Sequence, residues 1–581
     1  MRRAILVLSL AICGCRTPQT VNPAPEQAPD KPAAKLVVLL VFDQMRGDYL
    51  ARWADQFGPD GFERIKKGGA WYSDCHIPYA CTSTGPGHVA LATGAPPAVN
   101  GIIENDWFDR KLGKHVYCAQ PNRPYDLVPL PLAGQATRGS NIGFSPEQVL
   151  AATIGDQLKT IRGEKGRVFS LAIKDRAAVM MGGKKPDAAY CYDSRDGLFH
   201  TGSYYRDTPH PWAAEFNKAR HADKLFEKTW TRFKPDLDYD KLAGKDDAAG
   251  ESLGTNKMGM TFPHPLKGEL KEPADKFYAA VELSPFGNEL LFEFAKAAIA
   301  AEKIGTGPTT DLLCLGFSSN DLVGHAWGPD SHEVLDITLR SDDLVGRLLK
   351  HLDEVVGKDK YVVVISADHG VCPLPEQKKF ATAERQPLSA PILGLAKALD
   401  AAFGPNPEGQ TRWFDGAEVI DDLWPWVYLN RRAIEARKLK FDDVAKAAEK
   451  WLGELSYVEI VFNRDHIESS NPPKVAAERE KDVKDLLAKV KLAYRPDRCG
   501  DLIVIPKPGV QISKYAAGTG HGSPHAYDSH IPLLVYGAGV PALGKKPDAI
   551  SSLSVATTVA WALGIQPPTT ASTPLPPGLQ Q

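Results

Sequence analysis

The stretch Leu36-Val-Val-Leu-Leu-Val-Phe42 is an uninterrupted apolar run, and a carboxylate, Asp43, follows it. Strands have this composition when both of their faces are covered, as in the parallel sheets of α/β proteins. Similar runs recur along the chain with helical patterns between them: the runs are 167–173, 311–317, 361–366 and 532–536, and the helical patterns are 146–160, 287–302 and 333–356. The alternation predicts a doubly wound α/β fold with a mostly parallel sheet and helices on both faces.

Two long stretches interrupt this alternation. Residues 191–276 are rich in aromatic residues, glycine and charge, and residues 376–501 contain further helical patterns. We interpret both as insertions, the first of them loop-rich, into one catalytic domain that runs from residue 36 to residue 565. The Pro- and Thr-rich residues 566–581 are expected to form a flexible tail.

The N-terminus has the features of an export signal. Met1-Arg-Arg3 is basic, residues 4–12 are apolar but too few to cross a bilayer, and Cys15 follows small residues as in a bacterial lipobox. We predict a lipoprotein-type signal peptide over residues 1–15 with Cys15 as the lipidated residue; an ordinary secretory signal is the alternative. Residues 16–35 have the composition of a disordered tether. Either signal places the protein in the periplasm or at the cell surface, and a lipid on Cys15 would be its membrane contact.

The overall charge argues against some classes of function. The chain has 581 residues with 69 basic and 71 acidic side chains, and its formal net charge is −2. This balance does not indicate a protein that binds a nucleic-acid polymer. We expect small-molecule partners, and we favour a monomer.

Six Asp and His residues lie at or next to the ends of the predicted strands. They are Asp43, Asp321, His325, Asp368, His369 and His521. Open parallel sheets place their sites at the carboxyl ends of the strands, and carboxylate and imidazole groups are normal ligands of Zn²⁺. The pattern therefore predicts that these residues bind two metal ions.

Three adjacent hydroxyl groups, Thr82-Ser-Thr84, precede the turn Gly85-Pro-Gly87. All three could be turn or cap residues. Beside two metal ions, however, a hydroxyl that such a turn presents can act as a nucleophile, because a metal lowers its pKa. The combination predicts a dinuclear hydrolase that acts on phosphate esters.

These residues resemble the motifs of the alkaline phosphatase superfamily, in particular its Thr-nucleophile, phosphate-irrepressible periplasmic alkaline phosphatases of bacteria. The resemblance runs from about Leu36 to Leu563. It is carried by Asp43, Thr84-Gly-Pro-Gly-His88, Asn105-Asp-Trp-Phe, Ile173-Lys-Asp-Arg176, Asp321-x-x-x-His325, Ala367-Asp-His-Gly370 and His521-Gly-Ser-Pro-His-x-Tyr-Asp528. It implies an alkaline phosphatase-like fold and an exported di-zinc phosphomonoesterase that forms a phospho-threonine intermediate on Thr84.

The resemblance also implies a role for each site residue. One Zn²⁺ would be held by Asp321, His325 and His521. The other would be held by Asp43, Asp368, His369 and the oxygen of Thr84. The non-bridging phosphate oxygens would be contacted by Asn105, Lys174 and Arg176. His525 is not counted as a ligand, and Mn²⁺ or Co²⁺ could replace Zn²⁺.

Two alternatives stay open. A nucleotide pyrophosphatase/phosphodiesterase shares the nucleophile and the ligand set but hydrolyses diesters. Lys174 and Arg176 favour the monoesterase, because a monoester dianion has an additional charged oxygen that needs cations, although a solvated charge cluster would also explain them. The second alternative is a surface-anchored binding protein on an inactive hydrolase scaffold, which the complete set of nucleophile and ligands argues against.

Overall fold

The computed structural model describes residues 34–131, 142–416 and 424–580. The predicted signal peptide 1–15, its lipidation residue Cys15 and the predicted tether as far as residue 33 lie outside these residues. Ala34 and Lys35 are described; Ala34 is buried, and the backbone N–H of Lys35 donates to the carbonyl of Lys360. None of the described helices is long and apolar enough to cross a membrane.

Strands and helices alternate along much of the described chain. The strands are β1 Leu36–Phe42, β2 Ala70–His76, β3 Asp106–Asp109, β4 Lys114–Tyr117, β5 Leu127–Val128, β6 Val168–Ala172, β7 Ala188–Asp193, β8 Leu198–Gly202, β9 Thr229–Trp230, β10 His264–Pro265, β11 Asp311–Phe317, β12 Tyr361–Ser366, β13 Glu384–Pro387, β14 Trp426–Val427, β15 Val458–Asn463, β16 Leu502–Pro506, β17 Val510–Ser513, β18 His530–Gly537 and β19 Gly544–Ser551. The α-helices are α1 Tyr49–Arg52, α2 Phe62–Gly68, α3 Thr84–Thr93, α4 Pro97–Asn100, α5 Ile154–Arg162, α6 Asp175–Gly182, α7 Pro211–Lys218, α8 Tyr239–Ala243, α9 Asp275–Glu282, α10 Pro285–Glu302, α11 Ser319–Trp327, α12 His332–Leu352, α13 Ser389–Phe403, α14 Arg431–Ala436, α15 Phe441–Gly453, α16 Arg464–Ser469, α17 Glu480–Ala493, α18 Ala526–Ser529 and α19 Ser554–Leu563.

Ten of the described strands form one sheet in the order β19-β2-β18-β12-β1-β11-β6-β7-β8-β5. Its centre is a parallel block in which β1 pairs with β11 and β12, β11 with β6, and β6 with β7. Every residue of β1 is buried because helices cover both faces: α3, α5, α6 and α19 pack on one side, and α2, α10, α11 and α12 on the other. The predicted doubly wound, mostly parallel fold is confirmed.

The strand that follows the last predicted ligand runs in the opposite direction. β18 is antiparallel to β12, with Leu534 opposite Ile365. Its first residues therefore lie at the edge where the parallel strands end. His521, which precedes a strand, and Asp43, which follows one, consequently reach the same edge of the sheet.

One predicted helix begins later than its sequence pattern. The pattern at 146–160 becomes α5, which begins only at Ile154. Thr153 caps it: its hydroxyl accepts from the N–H of Asp156, and the Asp156 carboxylate accepts from the N–H of Thr153. This reciprocal pair satisfies N–H groups that a helix start leaves unpaired, so the helix begins there.

The two predicted insertions have different structures. Residues 191–276 begin inside the main sheet, because β7 ends at Asp193 and β8 pairs beside it before the loops start. Residues 376–501 instead contribute to a second, three-stranded sheet, β14-β16-β15. This sheet and helices α13 and α15 enclose a separate apolar core that includes Leu395, Trp413 and Val504.

The C-terminal residues 566–580 differ from the predicted flexible tail. The hydroxyl of Tyr72 donates to the carbonyl of Pro577 at 2.7 Å, and Leu579 is buried against the main core. Proline restricts the unfolded chain, so fixing a Pro-rich segment costs less backbone entropy. Burial of Leu579 offsets part of the remaining cost.

A buried carboxylate in the first insertion predicts how stability changes with pH. Glu251 Oε2 accepts from the N–H of Ala248, while Oε1 is buried without a hydrogen-bond partner. Burial, and then the neighbouring Glu333, raise the pKa of Glu251 from 4.5 to about 8. Because the folded state holds this proton more tightly than the unfolded state, the free energy of unfolding falls as pH rises from 4.5 to 8.

We therefore expect Glu251→Gln to raise the melting temperature relative to the wild type at pH 9, and much less at pH 5. The amide keeps the shape of the side chain and does not ionise. Thermal unfolding of both proteins across this pH range measures the effect. Melting temperatures that change with pH in parallel would show that Glu251 does not titrate as described.

Candidate active site

The predicted metal ligands all lie at the carboxyl edge of the parallel strands. Asp43 follows β1, and Asp368 and His369 follow β12. Asp321 and His325 lie in α11, the helix after β11, and His521 precedes β18. The structure thus brings together residues that are far apart in sequence.

One group of potential ligands consists of Asp43, Asp368 and His369, whose ligand atoms lie within 4.8 Å of one another. Nε2 of His369 is 3.3 Å from Asp368 Oδ2 and 3.5 Å from Asp43 Oδ1. Adjacent residues of an extended strand would point in opposite directions, but the chain turns irregularly after β12. Gly370 allows this turn, since a Cβ atom there would lie 2.2 Å from the carbonyl oxygen of Tyr527.

A second group consists of Asp321, His369 and His521. Asp321 Oδ1 lies 3.6 Å from His521 Nε2 and 3.2 Å from Nε2 of His325, four residues later in α11. The rings of His369 and His521 stack with their centroids 3.5 Å apart. The structure therefore places His369 between the two groups, while His325 approaches Asp321 from the rim, where its side chain is 38% exposed.

The histidines present their Nε2 atoms to the carboxylates because Nδ1 of each is bonded to a backbone carbonyl. The partners are Gly370 O for His369 at 2.9 Å, Thr519 O for His325 at 2.7 Å and Thr82 O for His521 at 2.7 Å. Metal-binding histidines are usually held in this way. Burial lowers the pKa of His369 and is the largest cause of the lowered pKa of His521. Both rings are therefore held in the neutral form that binds metals.

The carboxylates also fit a divalent cation. Oδ1 of Asp43 is fully buried and has no hydrogen-bond partner. Burial, and then Asp368, raise the pKa of Asp43 to about 7. A carboxylate oxygen that is buried without a partner is costly unless a cation compensates it. Together with the imidazole nitrogens, it completes the nitrogen and oxygen donor set that Zn²⁺ prefers.

Thr84 lies beside this donor set, at the N-terminus of a helix. It is the first residue of α3, and its Oγ1 is 3.5 Å from Nε2 of His369 and 3.5 Å from Nη2 of Arg176. Helix N-termini attract anions, because their N–H groups and dipole point outward. The hydroxyl is thus placed where a phosphate group would be stabilised.

The other predicted phosphate contacts surround Thr84. Lys174 Nζ lies 2.8 Å from Asp43 Oδ2 and 2.5 Å from Asp321 Oδ2. Burial would lower the pKa of Lys174, but Asp321 and Asp43 raise it, so its ammonium group is charged. Lys174 is only 7% exposed, which excludes a solvated charge. Oδ1 of Asn105 accepts from the N–H of Gly85 at 2.8 Å, which holds this amide beside the nucleophile turn.

Sequence reasoning assigned no role to two residues that contact the ligands. Gln44 donates from its backbone N–H to Asp368 Oδ1 at 3.1 Å and from Nε2 to Asp321 Oδ1 at 2.7 Å, so it links the two groups. Its φ of 67° is unusual for a residue other than glycine and suggests a functional constraint. Nδ1 of His88 lies 3.1 Å from Asp368 Oδ2. The role of His88 could have been found from the sequence, because His88 lies within the motif Thr84-Gly-Pro-Gly-His88. For Gln44, the only indication in the sequence was its position next to Asp43.

His525, which sequence reasoning did not count as a ligand, faces away from the two groups. Its Nε2 bonds to the carbonyl of Pro506 at 2.8 Å. It therefore links the loop after His521 to β16 of the three-stranded sheet.

Comparison with known proteins gives consistent matches over nearly the whole chain. Residues 37–528 match the family described as type I phosphodiesterase / nucleotide pyrophosphatase. Alkaline phosphatase PafA of Elizabethkingia meningoseptica is 32% identical over 539 residues, covering 92% of this chain and 93% of PafA. Alkaline phosphatase PhoV of Synechococcus elongatus is 32% identical over 577 residues, covering 98% of each chain. The crystal structure of wild-type PafA matches with a TM-score of 0.82 at 31% identity, covering 94% of this chain and 98% of that chain.

Proposed function

Because this chain belongs to the type I phosphodiesterase / nucleotide pyrophosphatase family and is a phosphoric monoester hydrolase similar to the alkaline phosphatases PafA and PhoV, we propose that it acts through a phospho-threonine intermediate on Thr84. The observation that carries the proposal is the position of Thr84 Oγ1, 3.5 Å from both His369 Nε2 and Arg176 Nη2. A potential metal ligand and a guanidinium group thus flank one buried hydroxyl.

We propose that two Zn²⁺ ions are held by these residues, with Mn²⁺ or Co²⁺ as possible substitutes. Asp321, His325 and His521 would hold one ion. Asp43, Asp368, His369 and Thr84 Oγ1 would hold the other. When bound, the ions lower the pKa of the Thr84 hydroxyl and neutralise charge on the attacking and leaving oxygens.

The chain's own groups bind and orient the ester. Thr84 Oγ1 forms a bond to phosphorus as the alcohol leaves, and water then cleaves the phospho-threonine to release inorganic phosphate. Lys174 and Arg176 donate to the non-bridging oxygens, which carry the charge in the transition state, and Asn105 is positioned to assist them. The N-terminus of α3 adds partial positive charge at the same place.

The same groups explain a preference for monoesters within a family whose name also includes phosphodiesterases. A monoester dianion has an additional charged oxygen, whereas a diester has an alkyl group in that position. Lys174 is buried and charged, and Arg176 contacts Thr84 Oγ1. A buried lysine beside a partly buried arginine favours the dianion. The inactive-scaffold alternative lacks support, since the nucleophile and all candidate ligands are present and lie close together.

Zinc content tests the ligand assignment. We expect the soluble fragment after Cys15 to bind two zinc ions, and Asp43→Ala and Asp321→Ala each to bind about one fewer, because each removes a carboxylate from a different group. His525→Ala is the matched control; its ring bonds to Pro506 O, and it should keep both ions. Elemental analysis after dialysis measures this. Full zinc content in both aspartate variants would refute the assignment.

We propose from the sequence alone that the protein is exported to the periplasm or the cell surface as a monomer, with the signal peptide cleaved before Cys15 and a lipid on Cys15 as the first residue of the mature chain. Its partners would be small phosphate esters. Incorporation of labelled palmitate into the wild type but not into Cys15→Ser would support the anchor, and equal labelling of both would refute it.

A further inference from the structure

We infer that Thr82 is a positioning residue for His521, and that its side-chain hydroxyl fixes the position of one metal site relative to the nucleophile. The inference rests on the proposed role of His521 as a zinc ligand. Thr82 lies two residues before Thr84 in sequence, and it contacts neither the substrate nor the metal in this assignment. It acts through the loop that carries His521.

Three bonds join Thr82 to three consecutive residues of that loop. Its carbonyl oxygen accepts from His521 Nδ1 at 2.7 Å. Its Oγ1 accepts from the backbone N–H of Gly522 at 3.2 Å and donates to the carbonyl of Ser523 at 2.9 Å. Thr82 is fully buried, so water does not compete for these groups. One residue thereby holds both the ring and the backbone of the ligand loop.

The ordinary role of a hydroxyl in this position does not account for these bonds. A Thr just before a helix usually caps it, but the N-cap of α3 is Ser83. The hydroxyl of Thr82 bonds instead to residues more than 400 positions later in the chain. Its bonds therefore link the nucleophile turn to a distant loop.

The loop needs such an anchor at its centre. Gly522 has φ of 115°, a conformation that side chains rarely adopt. The flanks of the loop are attached elsewhere: Thr519 Oγ1 donates to Cys372 O at 2.8 Å, and Ser523 Oγ donates to Asp528 Oδ2 at 2.6 Å. Between these attachments, the carbonyl of Gly520 accepts from the N–H of Cys372 at 3.1 Å and from Gln511 Nε2 at 3.3 Å. The bonds to Thr82 hold the next three residues, and with them Nδ1 of the His521 ring.

Thr82→Val tests the hydroxyl, because valine keeps the shape of the side chain and cannot make either bond. The Gly522 N–H and the Ser523 carbonyl then lose a buried partner, and the loop can move. Loss of such outer contacts typically weakens metal affinity about 10- to 100-fold. We expect this loss at one of two zinc sites, and we expect Thr82→Ser, which retains the hydroxyl, to restore most of the affinity.

The matched control is Thr310→Val. Thr310 is also buried, and its Oγ1 donates to the carbonyl of Ala34 at 2.8 Å, immediately before β11 and therefore at the opposite edge of the sheet. Zinc affinity is measured by competition with a chromophoric chelator on the fragment after Cys15. The initial rate is measured in parallel as a function of free zinc. Thermal unfolding in excess chelator compares the two valine variants for general loss of stability.

The outcomes separate this inference from the proposed function on which it rests. The inference is supported if zinc binds more weakly to Thr82→Val but not to Thr310→Val. In addition, Thr82→Ser should bind zinc with nearly wild-type affinity, and high zinc should restore the activity of Thr82→Val. Wild-type affinity in Thr82→Val, or equal weakening in Thr310→Val, overturns it. His521→Ala is the reference: unchanged zinc affinity in that variant would refute the ligand role of His521 itself. If Thr82→Val does not fold, Thr82→Ala tests the same hydroxyl.

Discussion

Replacing Thr84 with alanine is expected to lower kcat/KM for an aryl phosphate monoester by at least about 1,000-fold, because removal of a catalytic nucleophile leaves only binding and electrostatic stabilisation. Alanine keeps the helical backbone at the start of α3, so the circular dichroism spectrum should not change. Steady-state kinetics with saturating zinc measure the loss. Acid-quenched enzyme should retain labelled phosphate in the wild type and none in the variant.

Two neighbouring substitutions make the Thr84 test specific. Thr84→Ser keeps a hydroxyl in the same position and should retain far more activity than Thr84→Ala. Ser83→Ala removes the adjacent hydroxyl. Ser83 is the N-cap residue of α3, but its side chain makes no capping hydrogen bond, so this substitution should have a small effect. A larger loss in Ser83→Ala than in Thr84→Ala would show that Thr84 is not the nucleophile.

The second large effect is on substrate preference. Lys174→Met and Arg176→Met should each lower kcat/KM for the aryl monoester by about 100-fold or more, and for the matching diester much less. The reason is that a diester lacks the charged oxygen that these cations stabilise. The measured quantity is the ratio of monoester to diester kcat/KM in each variant and in the wild type.

Controls for this test follow from the contacts of the two cations. Lys174 also pairs with Asp43 and Asp321, so the zinc content of Lys174→Met must be checked before its kinetics are interpreted. Arg176→Lys keeps the positive charge but loses the planar guanidinium group that can donate to two oxygens at once. Its ratio of monoester to diester kcat/KM should lie between those of the wild type and Arg176→Met. A parallel fall for both substrates would show that the two cations do not select monoesters.

The parts of the structure that could be predicted are those where several local signals agree. The apolar run of β1 predicted a strand that is covered on both faces, and Asp43 after it was expected at the carboxyl edge of the sheet, where open parallel sheets have their sites. Asp321 and His325 could be placed together because residues four apart lie on one face of a helix. In each case, the positions of the residues depend only on the secondary structure of one short segment.

Other features could not be predicted, because they depend on contacts between distant segments. The antiparallel direction of β18 is not visible in its apolar composition, which suits either direction. Gln44 bridges two ligand groups only after Asp321 and Asp368 are in place. Likewise, composition alone suggested a loose C-terminal tail, although Leu579 is buried against the folded domain.

The antiparallel entry of β18 has a consequence for how the protein is made. The loop with the proposed ligand His521 is synthesised long after Asp43, and β1 pairs with β11 and β12, which are also far from it in sequence. Native contacts of such long sequence separation form slowly and late. A nascent or truncated polypeptide that ends before residue 521 therefore lacks a proposed zinc ligand, and we expect hydrolytic activity only after synthesis and folding have passed His521.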